Sequence, residues 1–364
     1  MSKSRLDYLD WAKAIGICLI ITGHFLPYGC WLKVLFYSFH VPLFALVGGM
    51  LCKAPATFSE CFRKIPKTFL RLFVPYFIWF AAFSIPHLLP AEKIPGIVGD
   101  SLSLGELAMR FVLLDKETIW NLSLWFLPGY LIISVFYPVY LRITKGSRFL
   151  SLVFAGVVFL LSWYSHTFQK YISAFGINNI MGLLNIAILA GFFALGYAIK
   201  DVMHTVIETI RGHSFGKYFL GITVLAFSFT GYAAVAARSV NDPSNPAGYF
   251  ALSLYKGRYG RMDDYIIIAT LLCILFILVC GFLPRLKTIR LLSESSYFLM
   301  LTHYAFLLIP SFQSLPRSSW KTDMIHSIGD SLFIILIYIV MLHLFDKLSA
   351  RFPKLRPCFR FLGI

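Results

Sequence analysis

The sequence predicts an all-α fold, a polytopic transmembrane bundle of about ten helices. Three observations carry that prediction. The 364 residues are 58% hydrophobic and only 14% charged, with a mean hydropathy of +0.75, whereas a soluble domain carries about 25% charged residues. The few charges cluster in short stretches between apolar blocks. The blocks themselves are long enough to cross a hydrocarbon core, which takes about 20 helical residues. They are also continuously apolar, unlike the short alternating strands of a membrane barrel, and helices satisfy their own backbone hydrogen bonds in lipid.

Ten blocks follow in order: Trp11–Tyr28, Val34–Leu51, Phe69–Leu89, Leu122–Leu141, Phe149–His166, Ile180–Ile199, Tyr218–Ala237, Tyr265–Leu283, Ser295–Phe312 and Ile328–Phe345. The first lacks a small-x-small cleavage site and contains His24, so it is expected to persist as an anchor. No soluble domain boundary interrupts the chain, and a single transmembrane domain over 1–364 is expected. Two outer connections are long, Pro90–Asn121 and Arg238–Asp264. Cys52–Thr68 and Asp201–Gly216 read as inner loops, and His204 and His213 as ordinary loop residues. The basic, aromatic tail after Phe345 is expected on the inner membrane surface.

Charge sets the orientation. Placing the N-terminus in the cytoplasm gathers Lys3 and Arg5, then Lys53, Arg63, Lys64, Lys67 and Arg71, on the inside. Arg142, Lys145 and Arg148 join them, as do Lys200, Arg211 and Lys217, then Arg285, Lys287 and Arg290, and the basic tail. These segments hold most of the 33 basic residues, as the positive-inside rule requires. An even number of spans puts both termini inside. The net charge of +16 is therefore largely topogenic. The basic residues form no single patch or aromatic-interleaved groove, which argues against nucleic acid as a partner. The seven cysteines show no short metal-binding spacing with supporting ligands, so no metal is expected. Cys273 and Cys280 read as apolar filler.

Ionisable groups inside a membrane are costly and are functional candidates by default. Here they are concentrated in the first helix (Asp10, Lys13, His24), the second (His40) and the ninth (His303). Lys13 and His24 are eleven residues apart, which is three turns plus roughly 20° and about 16 Å along the axis. They share a face, one near the inner surface and one in the outer half. That layout suits a long cofactor entering from inside, with its charged end at Lys13. Snorkelling of Lys13, or pairing with Asp10, is the structural alternative. A tight hairpin around Gly29–Lys33 is expected to bring His40 to a depth similar to that of His24. The pair could supply a base and an orienting or oxyanion-stabilising group, or a hydrogen bond between helices. An exporter of glycans or small polar molecules also fits intramembrane histidines, although internal repeats and membrane carboxylates are missing.

The motifs then point to a family. Arg5-Leu6-Asp7-Tyr8-Leu9-Asp10-Trp11-Ala12-Lys13 is followed, after ten intervening residues, by His24. Ser38-Phe39-His40-Val41-Pro42-Leu43-Phe44 lies close to Gly48-Gly49. Lys67 and Arg71 precede Pro75-Tyr76, Leu124-Trp125-Phe126-Leu127-Pro128 opens the fourth block, and Ser296-Tyr297 runs to His303. Taken together, over nearly the whole chain, this resembles the acyltransferase family 3 integral membrane acyltransferases, close to the fucose-4-O-acetylase-like branch. Lys13 stands in the basic position of a basic-x10-His signature, and Val41 replaces a usual methionine. Lys67 and Arg71 are four apart, where the family often has a closer arginine pair.

The resemblance implies a membrane O-acyltransferase of the cell envelope. Such a protein takes an acyl group, usually acetyl, from cytoplasmic acyl-CoA to a hydroxyl of a cell-surface or lipid-linked sugar. It implies His24 and His40 as catalytic groups and Lys13, Lys67 and Arg71 as binders of acetyl-CoA. Asp10, Trp125, Ser296 and His303 have supporting places. The expected partners are acyl-CoA, a sugar or glycan acceptor and the lipid bilayer of the inner or plasma membrane.

Overall fold

A computed structural model describes residues 6–27, 30–88, 103–113, 124, 126–173, 181–241, 262–307 and 320–364. Among these there is no strand. The helices are α1 (Asp7–Phe25), α2 (Trp31–Leu51), α3 (Phe58–Ser84), α4 (Leu104–Leu113), α5 (Phe126–Ile143), α6 (Arg148–Ser173) and α7 (Met181–Arg211). They continue with α8 (Gly216–Asn241), α9 (Met262–Cys280), α10 (Lys287–Glu294), α11 (Ser296–Thr302), α12 (Tyr304–Leu307), α13 (Trp320–Arg351) and α14 (Arg356–Leu362). Five of the described helices are long and apolar enough to cross a membrane: α2, α5, most of α7, most of α8 and most of α13. The all-α membrane architecture follows.

The core gathers around α2, which touches α1, α7 and α9. Where α2 and α7 cross, a Cβ on Gly49 would lie 1.8 Å from the Phe193 carbonyl oxygen, and one on Gly196 would lie 2.0 Å from that of Leu46. Helices in lipid gain little from a hydrophobic effect between them, so close backbone approach through small residues is a main source of packing energy. The outer faces of α6, α8 and α13 instead expose Leu160, Phe229, Tyr232 and Leu336, as a lipid-facing surface would.

The basic segments meet at one end of the bundle. Arg285 pairs with Asp7, Arg148 with Asp201, and Lys287 with Asp346 at 2.9 Å. Lys200 Nζ donates to the Cys52 carbonyl at 3.0 Å, and Trp11 Nε1 to that of Pro284 at 2.7 Å. We call this the basic end.

Several connections are more ordered than expected. Helix α3 starts at Phe58, because Thr57 caps it by accepting from the Glu60 N–H at 3.0 Å, an N-terminal capping interaction. Lys64 and the Ala56 N–H hold the Glu60 carboxyl below its ordinary pKa. Helix α7 continues to Arg211, so His204 is helical, stacked near Tyr8 with ring centroids 6.3 Å apart. Within the expected loop 90–121, Ser103 and Glu106 cap each other and start α4. Phe111 of α4 then packs on Tyr76 and Phe80 of α3, at 5.7 and 4.8 Å. Most of the two long outer connections falls outside the described residues.

The tail departs from its expected place on the membrane surface. Trp79 of α3 donates to the Leu362 carbonyl at 3.1 Å, Phe345 packs on Phe359 at 5.0 Å, and Leu362 and Ile364 lie against the core. An indole N–H on an apolar helix needs an acceptor, and the returning tail supplies one.

Candidate functional site

Helices α1, α2 and the broken α11–α12 segment bring three histidines together. His24 comes from the last turn of α1, His40 from the middle of α2, and His303 from the turn between α11 and α12. His40 and His303 are buried and His24 is half-buried.

Each ring is held by a local bond. His303 Nδ1 lies 2.9 Å from the Leu299 carbonyl, and His40 Nδ1 bonds that of Phe36. A carbonyl only accepts, so both Nδ1 atoms carry hydrogen, and in the neutral rings Nε2 is an acceptor. Nε2 of His303 is buried and has no hydrogen-bond partner among the described residues. His24 is held differently. Its Nδ1 stands 3.1 Å from the Tyr37 hydroxyl and 3.0 Å from the Tyr304 hydroxyl. In the tautomer with hydrogen on Nδ1, that N–H is shared between the two phenol oxygens and Nε2 keeps its lone pair.

The ring of His303 lies 5.1 Å from that of His24, and Tyr304 lies 4.7 Å from it. Tyr37 bridges to His40 at 4.8 Å. Lys33 is buried beside them, donating to the Leu26 carbonyl at 2.8 Å. His24 and His40 sit near each other on adjacent helices, with the Tyr37 ring against both. A Cβ on Gly16 would meet Phe44, and one on Gly23 would meet Tyr37. These two approaches define one antiparallel register, which sets His40 opposite Ile20, about 6 Å and one turn from the level of His24. The hairpin is not symmetric about the two histidines, and His40 is the nearer of them to the basic end.

A cavity of about 1100 Å³ occupies the basic half of the bundle. Ligand pockets commonly reach 300–1,000 Å³, so it has room for a large cofactor. Lys13, Lys53, Lys64 and Arg71 line it, with Ser296, Tyr297, Phe44, Gly48 and Met300, and the tail contributes Phe361 and Gly363. Lys64, Thr68, Arg71 and Pro75 fall on one face of α3. Lys67 lies one turn from Arg71 on the same helix, exposed, and does not itself line the cavity. Asp10 accepts from Ser293 Oγ at 2.6 Å, and Ser296 Oγ donates to the Ser293 carbonyl at 2.9 Å. Trp125 lies outside the described residues. The Tyr37–Tyr304 clamp on His24 and the closeness of His303 were not foreseen from the sequence. So the structure gathers His24, His40 and His303 in one cluster, and Lys13, Arg71 and Ser296 around one cavity.

These features define a helical membrane protein with a basic cavity and a nearby cluster of buried histidines. The profile of a family described as an acyltransferase domain matches residues 6–346. The chain therefore belongs to the acyltransferase family 3 membrane acyltransferases. It is also similar to Nodulation protein NolL of Mesorhizobium japonicum, 26% identical over 157 residues, covering 37% of this chain and 42% of that protein. The matched stretch thus spans less than half of that relative. No solved structure matches the chain.

Proposed function

We propose that this protein is an O-acyltransferase that moves an acyl group, acetyl in the first instance, from acyl-CoA to a hydroxyl of a cell-surface or lipid-linked sugar. The observation that carries the reading is the cavity at the basic end, lined by Lys13, Lys64 and Arg71 and by Phe44 and Met300, which lie about one turn from His40 and His303 respectively. The three phosphates of CoA call for cations, and the donor's thioester must reach a base. On the positive-inside rule the basic end faces the cytoplasm, where acyl-CoA is made, with both termini on that side and the inner or plasma membrane as the location.

In this reading Lys13, Lys53, Lys64 and Arg71 hold the CoA phosphates, with Lys67 at the mouth, and Ser296 and Tyr297 line the path of the pantetheine arm. His24 Nε2 takes the proton of the acceptor hydroxyl, as general base. The sugar oxygen then bonds the thioester carbonyl carbon, and the carbon–sulfur bond breaks. The thiolate leaves with the proton from the imidazolium, so protons balance over the cycle. Tyr37 and Tyr304 orient His24, and His40 or His303 steadies the tetrahedral oxyanion. Asp10 fixes the start of the α11 segment through Ser293.

The test is consumption of acetyl-CoA by purified protein in detergent with a panel of neutral sugars, followed by mass analysis of the sugar. Acyl-CoA-dependent O-acetylation is the expected result. Binding of sugar with no donor consumption, and sugar transport in vesicles, would overturn it in favour of an exporter.

A further inference from the structure

The donor cavity is not lined by the three histidines, and Phe44 lines it one helical turn from His40. The antiparallel register of α1 and α2 gives the order from the basic end. Lys13 comes first, then Gly16 opposite Phe44, then Ile20 opposite His40, then His24 beside Tyr37. Phe44 and Met300 line the cavity, whereas none of the three histidines does. Phe44 is one turn, about 6 Å, from His40, and Met300 is about 4.5 Å along the helix axis from His303. The cavity therefore ends one turn short of the cluster on both helices.

At that level the ring of Phe44, with Leu43 beside it, packs against α1 at Gly16. A Cβ on Gly16 would stand 3.1 Å from Phe44 Cε2 and 3.4 Å from Cζ. Any side chain at Gly16 would compete with the ring for this space. Phe44 is half-buried, with one side on the core and the other on the cavity.

We propose that Phe44 is a specificity-determining residue that sets the length of acyl group delivered to the histidines. The inference rests on the acyl-CoA reading above. Its ring, seated on Gly16, narrows the passage between the donor cavity and His40, so that an acetyl thioester passes and a longer acyl chain meets the ring. Adding methylenes where there is no room forces side chains and backbone to shift. One methylene in an apolar pocket changes selectivity by about 10–200-fold.

The experiment uses detergent-permeabilised membranes of the native cell, which hold the native acceptor, with the chain or a variant as the sole copy. Acetyl-, butyryl- and hexanoyl-CoA are compared by release of free thiol and by incorporation of labelled acyl group. Phe44→Ala should raise the butyryl-to-acetyl turnover ratio about tenfold or more, with a smaller rise in Phe44→Leu. Phe44→Leu keeps an apolar side chain in place and carries the test if the alanine variant does not accumulate. Equal loss with all three donors, or an unchanged ratio in a variant present at wild-type level, would overturn the proposal while leaving the acyltransferase reading intact. If wild-type membranes release no thiol from any acyl-CoA, the donor reading itself falls, and the selectivity role with it.

Discussion

His303 and His24 face each other across the bundle, with ring centroids 5.1 Å apart and planes inclined by 35°, although they come from opposite ends of the chain. The buried Nε2 of His303 has no hydrogen-bond partner among the described residues. That nitrogen is an acceptor in the neutral ring, and it lies in the cluster with His24.

His303→Asn tests the role of that nitrogen. An asparagine amide can still donate toward the Leu299 carbonyl, but it has no Nε2 lone pair. We expect turnover to fall about 10²-fold, the lower range for acid–base assistance, with the acyl-CoA KM nearly unchanged. Full activity in a folded His303→Asn variant would make His303 a packing residue.

The basic residues of α3 differ in their access to the cavity. Lys64 and Arg71 line the cavity, and Lys67 does not. Lys64→Ala and Arg71→Ala should each raise the acyl-CoA KM by about tenfold, the loss of one charge-assisted contact of about 1.4 kcal/mol. Lys67→Ala should do so by no more than about twofold. Steady-state kinetics over a range of acyl-CoA concentrations checks this, and a larger effect at Lys67 than at Arg71 would reverse the assignment.

The crossing of α2 and α7 is a sharper test of the fold. Gly49→Ala places a methyl 1.8 Å from the Phe193 carbonyl oxygen, so the helices must separate. Overpacking of this kind costs about 1–3 kcal/mol or more. Thermal unfolding in detergent should shift down by several degrees. The same substitution at Gly156, where nothing lies within 4 Å, should leave the midpoint in place.

Orientation can be read independently. A cysteine introduced at Glu106, on a chain whose native cysteines are replaced, should react with an impermeant thiol reagent in intact cells, and one at Lys64 should not. The opposite pattern would turn the bundle over and put the donor cavity on the wrong side for acyl-CoA.

Much of this molecule was legible in the sequence, for physical reasons. Long apolar blocks have few ways to satisfy their backbone in lipid, so the described parts of the expected blocks are mostly helical. The ninth is broken at His303, and five described helices are long and apolar enough to span. Lys13 and His24 share a helix face by arithmetic alone. What escaped was the product of contacts between distant segments. The position of His303 beside His24 depends on how α11 packs on α1, and no local pattern encodes that. The same holds for the tail, whose return to Trp79 could not be read from its basic composition. Helix α4 is different, because Ser103-x-x-Glu106 is a capping box that was there to be found. Hairpin length alone does not fix the register between α1 and α2. The Gly16–Phe44 and Gly23–Tyr37 contacts do.

The decisive prediction concerns His24 and the two phenols that hold it. An unassisted sugar hydroxyl is a poor nucleophile at neutral pH, so the transfer needs a base, and His24 is the histidine whose Nδ1 is engaged by side chains, not by its own helix. His24→Ala should lose about 10²–10⁴-fold in turnover. Acyl-CoA affinity should survive, because Lys13 lies about 16 Å away along α1 and Lys64 and Arg71 lie in the cavity wall. Tyr37→Phe and Tyr304→Phe should each cost less, since the other phenol still orients the ring, and the double variant should cost more than the two losses multiplied. That non-additivity is what distinguishes a shared clamp from two separate packing roles. The measurements are turnover and acyl-CoA affinity of purified variants that match wild type in thermal unfolding. Normal turnover in folded His24→Ala, with turnover lost in His40→Ala, would move the base one turn toward the donor cavity. Normal turnover in both would remove these two histidines from the chemistry.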